Sequence, residues 1–220
     1  MSVKVKICGI TNLEDALVAV NSGADYLGFI FYPPSKRAID FSSAKQIAHD
    51  LRLVPDCPLL VGVFVNETAA YMAQVLEDCR LDLAQLSGEE VPSLIADSQS
   101  PLFGRAYKGI RPASQTEAEV EAEWYVVSDR PAMLPSLLVD TYHPTLRGGS
   151  GETGDWALSA MLALQYPGLM LAGGLNAANV AGAVKQVRPF AVDVASGVEA
   201  QPGKKDHVLV QTFIAEAKNA

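Results

Sequence analysis

The stretch Leu60-Val61-Gly62-Val63-Phe64-Val65 contains no charged or polar side chain. Apolar residues at consecutive positions are typical of a strand buried on both faces, as in a parallel sheet. Asn66 follows directly and is a residue type that caps helices. Met72, Val75 and Cys79 then recur at helical spacing, which predicts an amphipathic helix behind the strand. One strand and one helix therefore form the unit from which the fold is inferred.

The same unit recurs along the chain. Seven further apolar runs predict strands at 3–8, 26–31, 83–86, 103–107, 137–139, 169–172 and 191–195. Eight strand–helix units in 220 residues fit a compact (β/α)8, or TIM, barrel, so we predict one α/β domain spanning residues 1–220. A doubly wound open sheet is the alternative architecture. A ninth apolar run at 124–127 is either a strand or the end of a helix, and the Glu- and Ala-rich residues before it favour the helix.

Composition narrows the class of partner. Hydrophobic residues make up 49% and charged residues 19% of the chain, as expected of a globular protein, and the net charge is −8. An acidic surface argues against nucleic acid or an anionic membrane as the main partner, but permits a small anionic ligand in a local pocket. Three cysteines form no disulfide framework, and the first residues lack a secretory signal, so we expect a cytoplasmic protein.

In a barrel of this kind, the active site lies where the strands end. Cys8 ends the first predicted strand, Arg37 lies in the loop after the second, and Asp140 ends the sixth. Gly173-Gly174 follows the seventh strand and Ser196-Gly197 the eighth. Loops at these two places frequently bind phosphate through backbone N–H groups, although two glycines also suit a simple turn.

Other site types find less support. A metal site is not expected, because only His49, His143 and His207 are present and no pair of ligands has metal-binding spacing. The stretch 149–154 matches the spacing of a dinucleotide fingerprint, but it does not directly follow a strand. A glycine-rich loop over the site is the better interpretation, and we expect no cofactor.

Several stretches together resemble the phosphoribosylanthranilate isomerases, barrel enzymes of tryptophan biosynthesis. The resemblance is carried by Val5-Lys6-Ile7-Cys8-Gly9-Ile10-Thr11, by 23–29, by Pro34-Ser35-Lys36-Arg37, by 61–66, by 148–151, by 171–175 and by 193–199. It extends over essentially the whole chain, in order. It implies an Amadori rearrangement of N-(5-phosphoribosyl)anthranilate without a cofactor.

The resemblance also implies roles. Asp140 would be the general acid, Cys8 the general base, Arg37 the ligand of the anthranilate carboxylate and Asp193 the ligand of a ribose hydroxyl. The Gly173-Gly174 and Ser196-Gly197 backbones would bind the phosphate. Such roles require a lowered pKa for the Cys8 thiol and a raised pKa for the Asp140 carboxyl.

Two other functions remain open at this point. One is another phosphosugar barrel enzyme, either an epimerase or an aldolase, for which Lys108 would be the Schiff-base lysine. The other is a non-catalytic barrel that binds a phosphorylated ligand. For this protein itself we expect a small phosphorylated substrate and either a monomer or a homodimer. The chain also departs from the family where Ser87 replaces its usual histidine, which puts any hydrogen bond from that histidine in doubt.

Overall fold

Eight parallel strands close into a barrel in the computed structural model, which describes residues 2–140 and 156–220. The strands are β1 (Lys4–Cys8), β2 (Tyr26–Ile30), β3 (Leu59–Phe64), β4 (Leu83–Leu86), β5 (Ala106–Ile110), β6 (Leu137–Asp140), β7 (Leu169–Ala172) and β8 (Ala191–Val194). Each strand pairs with the next, and β8 pairs with β1. The predicted (β/α)8 barrel is confirmed, and the open-sheet alternative is wrong because no strand of this sheet has an unpaired edge.

Helices alternate with the strands. They are α1 (Leu13–Asn21), α2 (Phe41–Leu51), α3 (Ala69–Asp78), α4 (Ser93–Ala96), α5 (Gln115–Tyr125), α6 (Trp156–Gln165), α7 (Val180–Val187) and α8 (His207–Lys218). A short hairpin of β9 (Glu199–Gln201) and β10 (Lys204–Lys205) precedes α8. Thr68 rather than Asn66 caps α3. Asn66 instead has a left-handed backbone, with a φ of 56°, and its side-chain oxygen accepts a hydrogen bond from the Glu89 N–H.

Buried apolar side chains form two clusters on the two faces of the sheet. The larger lies between the barrel and its helices. The smaller lies inside the barrel and includes Tyr26, Val61, Leu83, Met170 and Ala191, most of them near the amino ends of their strands. Burial on both faces explains why the strand sequences are apolar at consecutive positions. The interior cluster closes the amino end of the barrel and leaves the carboxyl end for the site.

The fifth strand lies three residues later than the sequence predicted. Gly104, with a φ of 72°, belongs to a turn, and the Phe103 side chain before it is 44% exposed. Lys108 lies within β5 and is buried, because its Nζ forms an ion pair with Glu90 at 2.7 Å. The predicted strand at 103–107 is therefore wrong in position, since it began at the apolar Phe103 and ended before Lys108.

Two further predictions have different outcomes. The run at 124–127 contains no strand, and its first two residues, Trp124 and Tyr125, end α5. The glycine-rich stretch 149–154 and His143 lie outside the described residues. In the described part of the chain, no helix is both long and apolar enough to cross a membrane.

Candidate active site

A cavity of about 440 Å³ opens at the carboxyl ends of the strands. It brings together four of the residues singled out in the sequence, namely Cys8, Arg37, Asp140 and Asp193. Further polar lining residues are Ser35, Gln85, Ser87 and Arg111, and the apolar ones include Ile30, Val63, Val65, Ile110 and Leu138. A cavity with an apolar wall and a few convergent polar groups suits a small amphipathic ligand.

Cys8 lies at the end of β1, and its side chain is almost fully buried. It faces Gly28 of β2, where an added Cβ atom would lie 2.7 Å from the Cys8 Sγ, so the glycine provides the space for the thiol. Burial raises the pKa of Cys8, against the lowering influence of Lys6 and Lys205. The expectation of a lowered thiol pKa is therefore wrong, because desolvation of the thiolate outweighs the nearby cations.

A network of buried polar side chains, joined by hydrogen bonds, crosses the barrel at the base of the cavity. Lys6 Nζ donates to Asp193 Oδ1 and to Gln85 Oε1, both at 2.9 Å, and its side chain is fully buried. Tyr107 donates from its hydroxyl to Gln85 Oε1 at 3.0 Å, and Gln85 Nε2 donates to Ser87 Oγ at 3.0 Å. Burial alone would lower the pKa of Lys6, but the Asp193 carboxylate raises it overall. Lys6 is thus a fixed cation on the same face of β1 as Cys8.

Arg37 lies in the loop after β2 and forms a two-pronged ion pair with Glu199 of β9. Its Nε donates to Glu199 Oε1 and its Nη2 to Oε2, each at 2.8 Å. The carboxylate also accepts from Lys205 Nζ at 3.1 Å, and the same Nζ donates to the backbone oxygen of Cys8 at 2.6 Å. The loop after β2 is therefore connected through the β9–β10 hairpin to the end of β1.

Asp140 lies across the cavity from Cys8, at the end of β6. Its Oδ2 accepts from Arg111 Nε at 2.9 Å, and the Arg111 side chain is 67% exposed. Burial raises the pKa of the Asp140 carboxyl, while Arg111 opposes the rise. A raised pKa for Asp140 is also what the sequence interpretation requires.

Of the loops after β7 and β8, Ala195 lines this cavity, whereas Gly173-Gly174 and Ser196-Gly197 are not among its described lining residues. Gly173 and Gly174 have left-handed backbones, with φ of 92° and 64°. A Cβ atom at Gly197 would lie 1.9 Å from the backbone oxygen of Leu175, so the two loops pack directly against each other. Ser196 is exposed and begins a short 3-10 turn. Glycines at these places leave backbone groups open to close approach by a ligand, which is what a phosphate requires.

Four residues of the site received no role in the sequence interpretation. Lys6 had a readable signal, because a lysine between Val5 and Ile7 in a buried strand requires a partner. Glu199 and Arg111 had none, since their partners are distant in the sequence. Gln85 lies in an apolar strand, and its Oε1 accepts from two residues of other strands, Lys6 and Tyr107. In residues 2–140 and 156–220, no group of three His, Cys, Asp or Glu side chains could hold a metal ion.

Comparison with known proteins gives a consistent result. A family model described as N-(5'-phosphoribosyl)anthranilate (PRA) isomerase matches residues 5–216. The N-(5'-phosphoribosyl)anthranilate isomerase of Thermotoga petrophila is 45% identical over 216 residues, which are 98% of each chain. The crystal structure of phosphoribosyl anthranilate isomerase from Thermotoga maritima superposes with a TM-score of 0.85 at 43% identity, covering 99% of this chain and 100% of that one.

A second solved structure carries a ligand. It is a phosphoribosyl anthranilate isomerase in complex with reduced 1-(o-carboxyphenylamino)-1-deoxyribulose 5-phosphate, with a TM-score of 0.82, 40% identity, and coverage of 99% and 100% of the two chains. These matches span the whole barrel and include every strand that contributes to the cavity. The resemblance noted in the sequence is confirmed, and this chain belongs to the N-(5'-phosphoribosyl)anthranilate isomerase family.

Proposed function

We propose that this protein catalyses the Amadori rearrangement of N-(5-phosphoribosyl)anthranilate to 1-(2-carboxyphenylamino)-1-deoxyribulose 5-phosphate in tryptophan biosynthesis. The observation that carries the proposal is the cavity, which has Cys8 on one wall and Asp140 on the opposite wall. Family membership supplies the reaction, and this pair of groups is what the reaction needs. An acid is required at the ribose ring oxygen and a base at C2′.

Asp140 is assigned the first proton transfer. Its carboxyl proton passes to the ribose ring oxygen, the C1′–O bond breaks, and the nitrogen lone pair forms a protonated Schiff base at C1′. A carboxyl group can do this near neutral pH only if its pKa is raised, which is the direction that burial produces here. Arg111 lies beside the carboxylate that remains.

Cys8 is assigned the second transfer. Its thiolate removes the proton from C2′, and the electron pair of that bond neutralises the Schiff base to give an enolamine. Protonation at C1′ and loss of the C2′ hydroxyl proton then yield the ketone. Because burial raises the pKa of Cys8, the thiolate depends on the ammonium groups of Lys6 and Lys205 for its stabilisation.

Substrate binding is assigned to the remaining residues. Arg37 would hold the anthranilate carboxylate, for which its planar set of donors is suited. Asp193 Oδ1 accepts a hydrogen bond from Lys6, and the other carboxylate oxygen, Oδ2, would accept one from a ribose hydroxyl. The backbones of Gly173-Gly174 and Ser196-Gly197 would hold the phosphate, so the substrate would extend from the β2 side of the cavity toward β7 and β8.

The aldolase alternative is weakened by the position of its lysine. Lys108 Nζ hydrogen-bonds to the backbone oxygen of Gly88 and to Glu90, and Lys108 is absent from the residues that line the cavity. A Schiff-base lysine has to reach the substrate carbonyl. The epimerase and the non-catalytic binding barrel remain for the assay to separate.

The test is a fluorescence assay. The substrate is formed from anthranilate and phosphoribosyl pyrophosphate with a phosphoribosyltransferase, and its fluorescence should fall when this protein is added. Asp140→Asn should abolish most of the fall, and Asp78→Asn, at the exposed end of α3, is the matched control. A decay no faster than that in buffer would overturn the proposed activity, and binding without decay would favour the non-catalytic barrel.

Location and assembly are also proposals. We infer a cytoplasmic protein that acts as a monomer or a homodimer on a small phosphorylated substrate. Cell fractionation tests the location, and sedimentation equilibrium tests the assembly.

A further inference from the structure

The Arg37 guanidinium is held on one edge before any ligand arrives. Two of its five N–H groups, on Nε and Nη2, are bonded to the two Glu199 oxygens at 2.8 Å. Three donors therefore remain, two on Nη1 and one on Nη2. One N–H of Nη1 and the remaining N–H of Nη2 point away from the arginine stem, and a carboxylate can pair with these two through parallel hydrogen bonds.

We propose that Glu199 is a positioning residue for substrate recognition, which orients Arg37 so that the free end of its guanidinium binds the aromatic carboxylate of the substrate. The inference rests on the proposed function, because it takes the ligand of Arg37 from that reaction. Glu199 lies outside the residues that line the cavity, and it would affect substrate binding only through Arg37.

Glu199 is itself firmly held. Its side chain is only 4% exposed, and its Oε1 accepts from Lys205 Nζ at 3.1 Å and from the Gly203 N–H at 3.3 Å. Lys205 is fully buried and also donates to the backbone oxygens of Cys8 and Ala195. The carboxylate therefore cannot follow Arg37 if the arginine moves, and it acts as a fixed reference point.

The charge on Glu199 is also secured. Burial alone would raise its pKa, but the hydrogen bonds and charges of Arg37 and Lys205 lower the pKa overall. Glu199 thus stays ionised near neutral pH. A charged acceptor makes the bond to Arg37 shorter and stronger than a neutral one would.

The stem of Arg37 is restrained from a second direction. A Cβ atom at Gly9 would lie 2.9 Å from Arg37 Cδ and 3.2 Å from its Cβ, so the arginine stem lies directly on the Gly9 backbone. The Arg37 N–H also donates to Ser35 Oγ at 3.1 Å. With both the stem and one edge of the plane fixed, little rotational freedom remains to be lost when the substrate carboxylate binds.

The experiment compares two ligands that differ only in the carboxylate. One is 1-(2-carboxyphenylamino)-1-deoxyribitol 5-phosphate, and the other is its phenylamino counterpart without the carboxyl group. Titration calorimetry gives Kd for each with the wild type, Glu199→Gln, and Glu216→Gln as a matched control on the exposed surface of α8. We expect Glu199→Gln to weaken the carboxylated ligand about tenfold and the other ligand less than twofold, and Glu216→Gln to change neither.

Glu199→Asp covers the case in which loss of the charge unfolds the protein. It keeps a carboxylate for Lys205, but its shorter side chain cannot reach both Arg37 nitrogens, so the same selective loss is expected. Equal weakening of both ligands by these variants, while the wild type still prefers the carboxylated ligand, would overturn the role of Glu199 and leave the proposed function intact. A wild type that binds neither ligand would overturn the proposed function and this inference with it.

Discussion

The two walls of the cavity hold their reactive groups in contrasting ways. On the β1 wall, Cys8 is buried and is surrounded by two buried lysines, each bonded to several other groups. On the β6 wall, Asp140 is 31% exposed and is paired with an arginine that is itself mostly exposed. The thiol is thus held within a buried network, and the carboxyl group is half-buried beside an exposed arginine.

We therefore expect folding stability and catalytic activity to depend to different degrees on the two walls. Changes on the β1 wall should damage folding as well as activity, because they leave buried charges without partners. Changes on the β6 wall should affect activity with little effect on folding. The four predictions below test this contrast.

Lys6→Met should have the largest effect. It leaves the Asp193 carboxylate without its buried partner, and loss of one member of a buried pair typically costs about 3–5 kcal/mol of unfolding free energy. Urea denaturation measures the change. The comparison is Tyr107→Phe, which removes only a hydroxyl bonded to Gln85 and should cost about 1 kcal/mol. Equal losses for the two variants would show that the charge is not the reason for the stability.

Asp140→Asn should lower kcat at least about a hundredfold, as expected for loss of a general acid. The melting temperature of this variant, in contrast, should not fall. Burial raises the folded-state pKa above the unfolded value of about 3.9, so this group disfavours the folded state increasingly as the pH rises from about 4 through the folded-state pKa.

The variant lacks that charge, so at pH 7 its melting temperature should equal or exceed that of the wild type, and the difference should shrink toward pH 4. Thermal melts at both pH values measure it. A clear drop in melting temperature at pH 7 would mean that Asp140 stabilises the fold, as the buried groups of the β1 wall do.

Arg37→Ala should raise KM about tenfold and change kcat less, because it removes a bond to a carboxylate remote from the proton transfers. Steady-state kinetics separate the two constants. Since Glu199 then loses its partner, a modest loss of stability should accompany the change. A constant KM with a reduced kcat would place Arg37 in the chemical step instead.

Arg111→Ala should have the smallest effect. Removing this exposed cation raises the pKa of Asp140 further, so the loss of activity on the alkaline side should shift to higher pH by less than one unit. The kcat at pH 7 should stay within about threefold of the wild type. A pH–rate profile tests this, and a shift to lower pH would contradict the pairing.

The barrel could be predicted from sequence because most strands carry their own local signal of consecutive apolar residues. β5 was misplaced for a reason that is not local. Lys108 is tolerated in a buried strand only because Glu90, from the loop after β4, reaches it. At the site, Cys8 and Asp140 could be singled out from the sequence because each ends a predicted strand.

The residues that support them were not recognised, because their partners are remote in sequence. Glu199 meets Arg37 across 162 positions, and Lys205 meets the Cys8 carbonyl across 197 positions. No spacing rule links residues so far apart. The resemblance located the stretch that contains Glu199, but it assigned that residue no role.

That last contact also bears on when activity can arise during synthesis. The strand that carries Cys8 leaves the ribosome first, yet its two neighbours are β2 and β8, and the hairpin with Lys205 is among the last segments made. Contacts between chain ends form late and slow the folding of a domain. We expect the nascent chain to remain inactive until α8 has emerged. Turnover by stalled chains ending at Val194 would contradict this order.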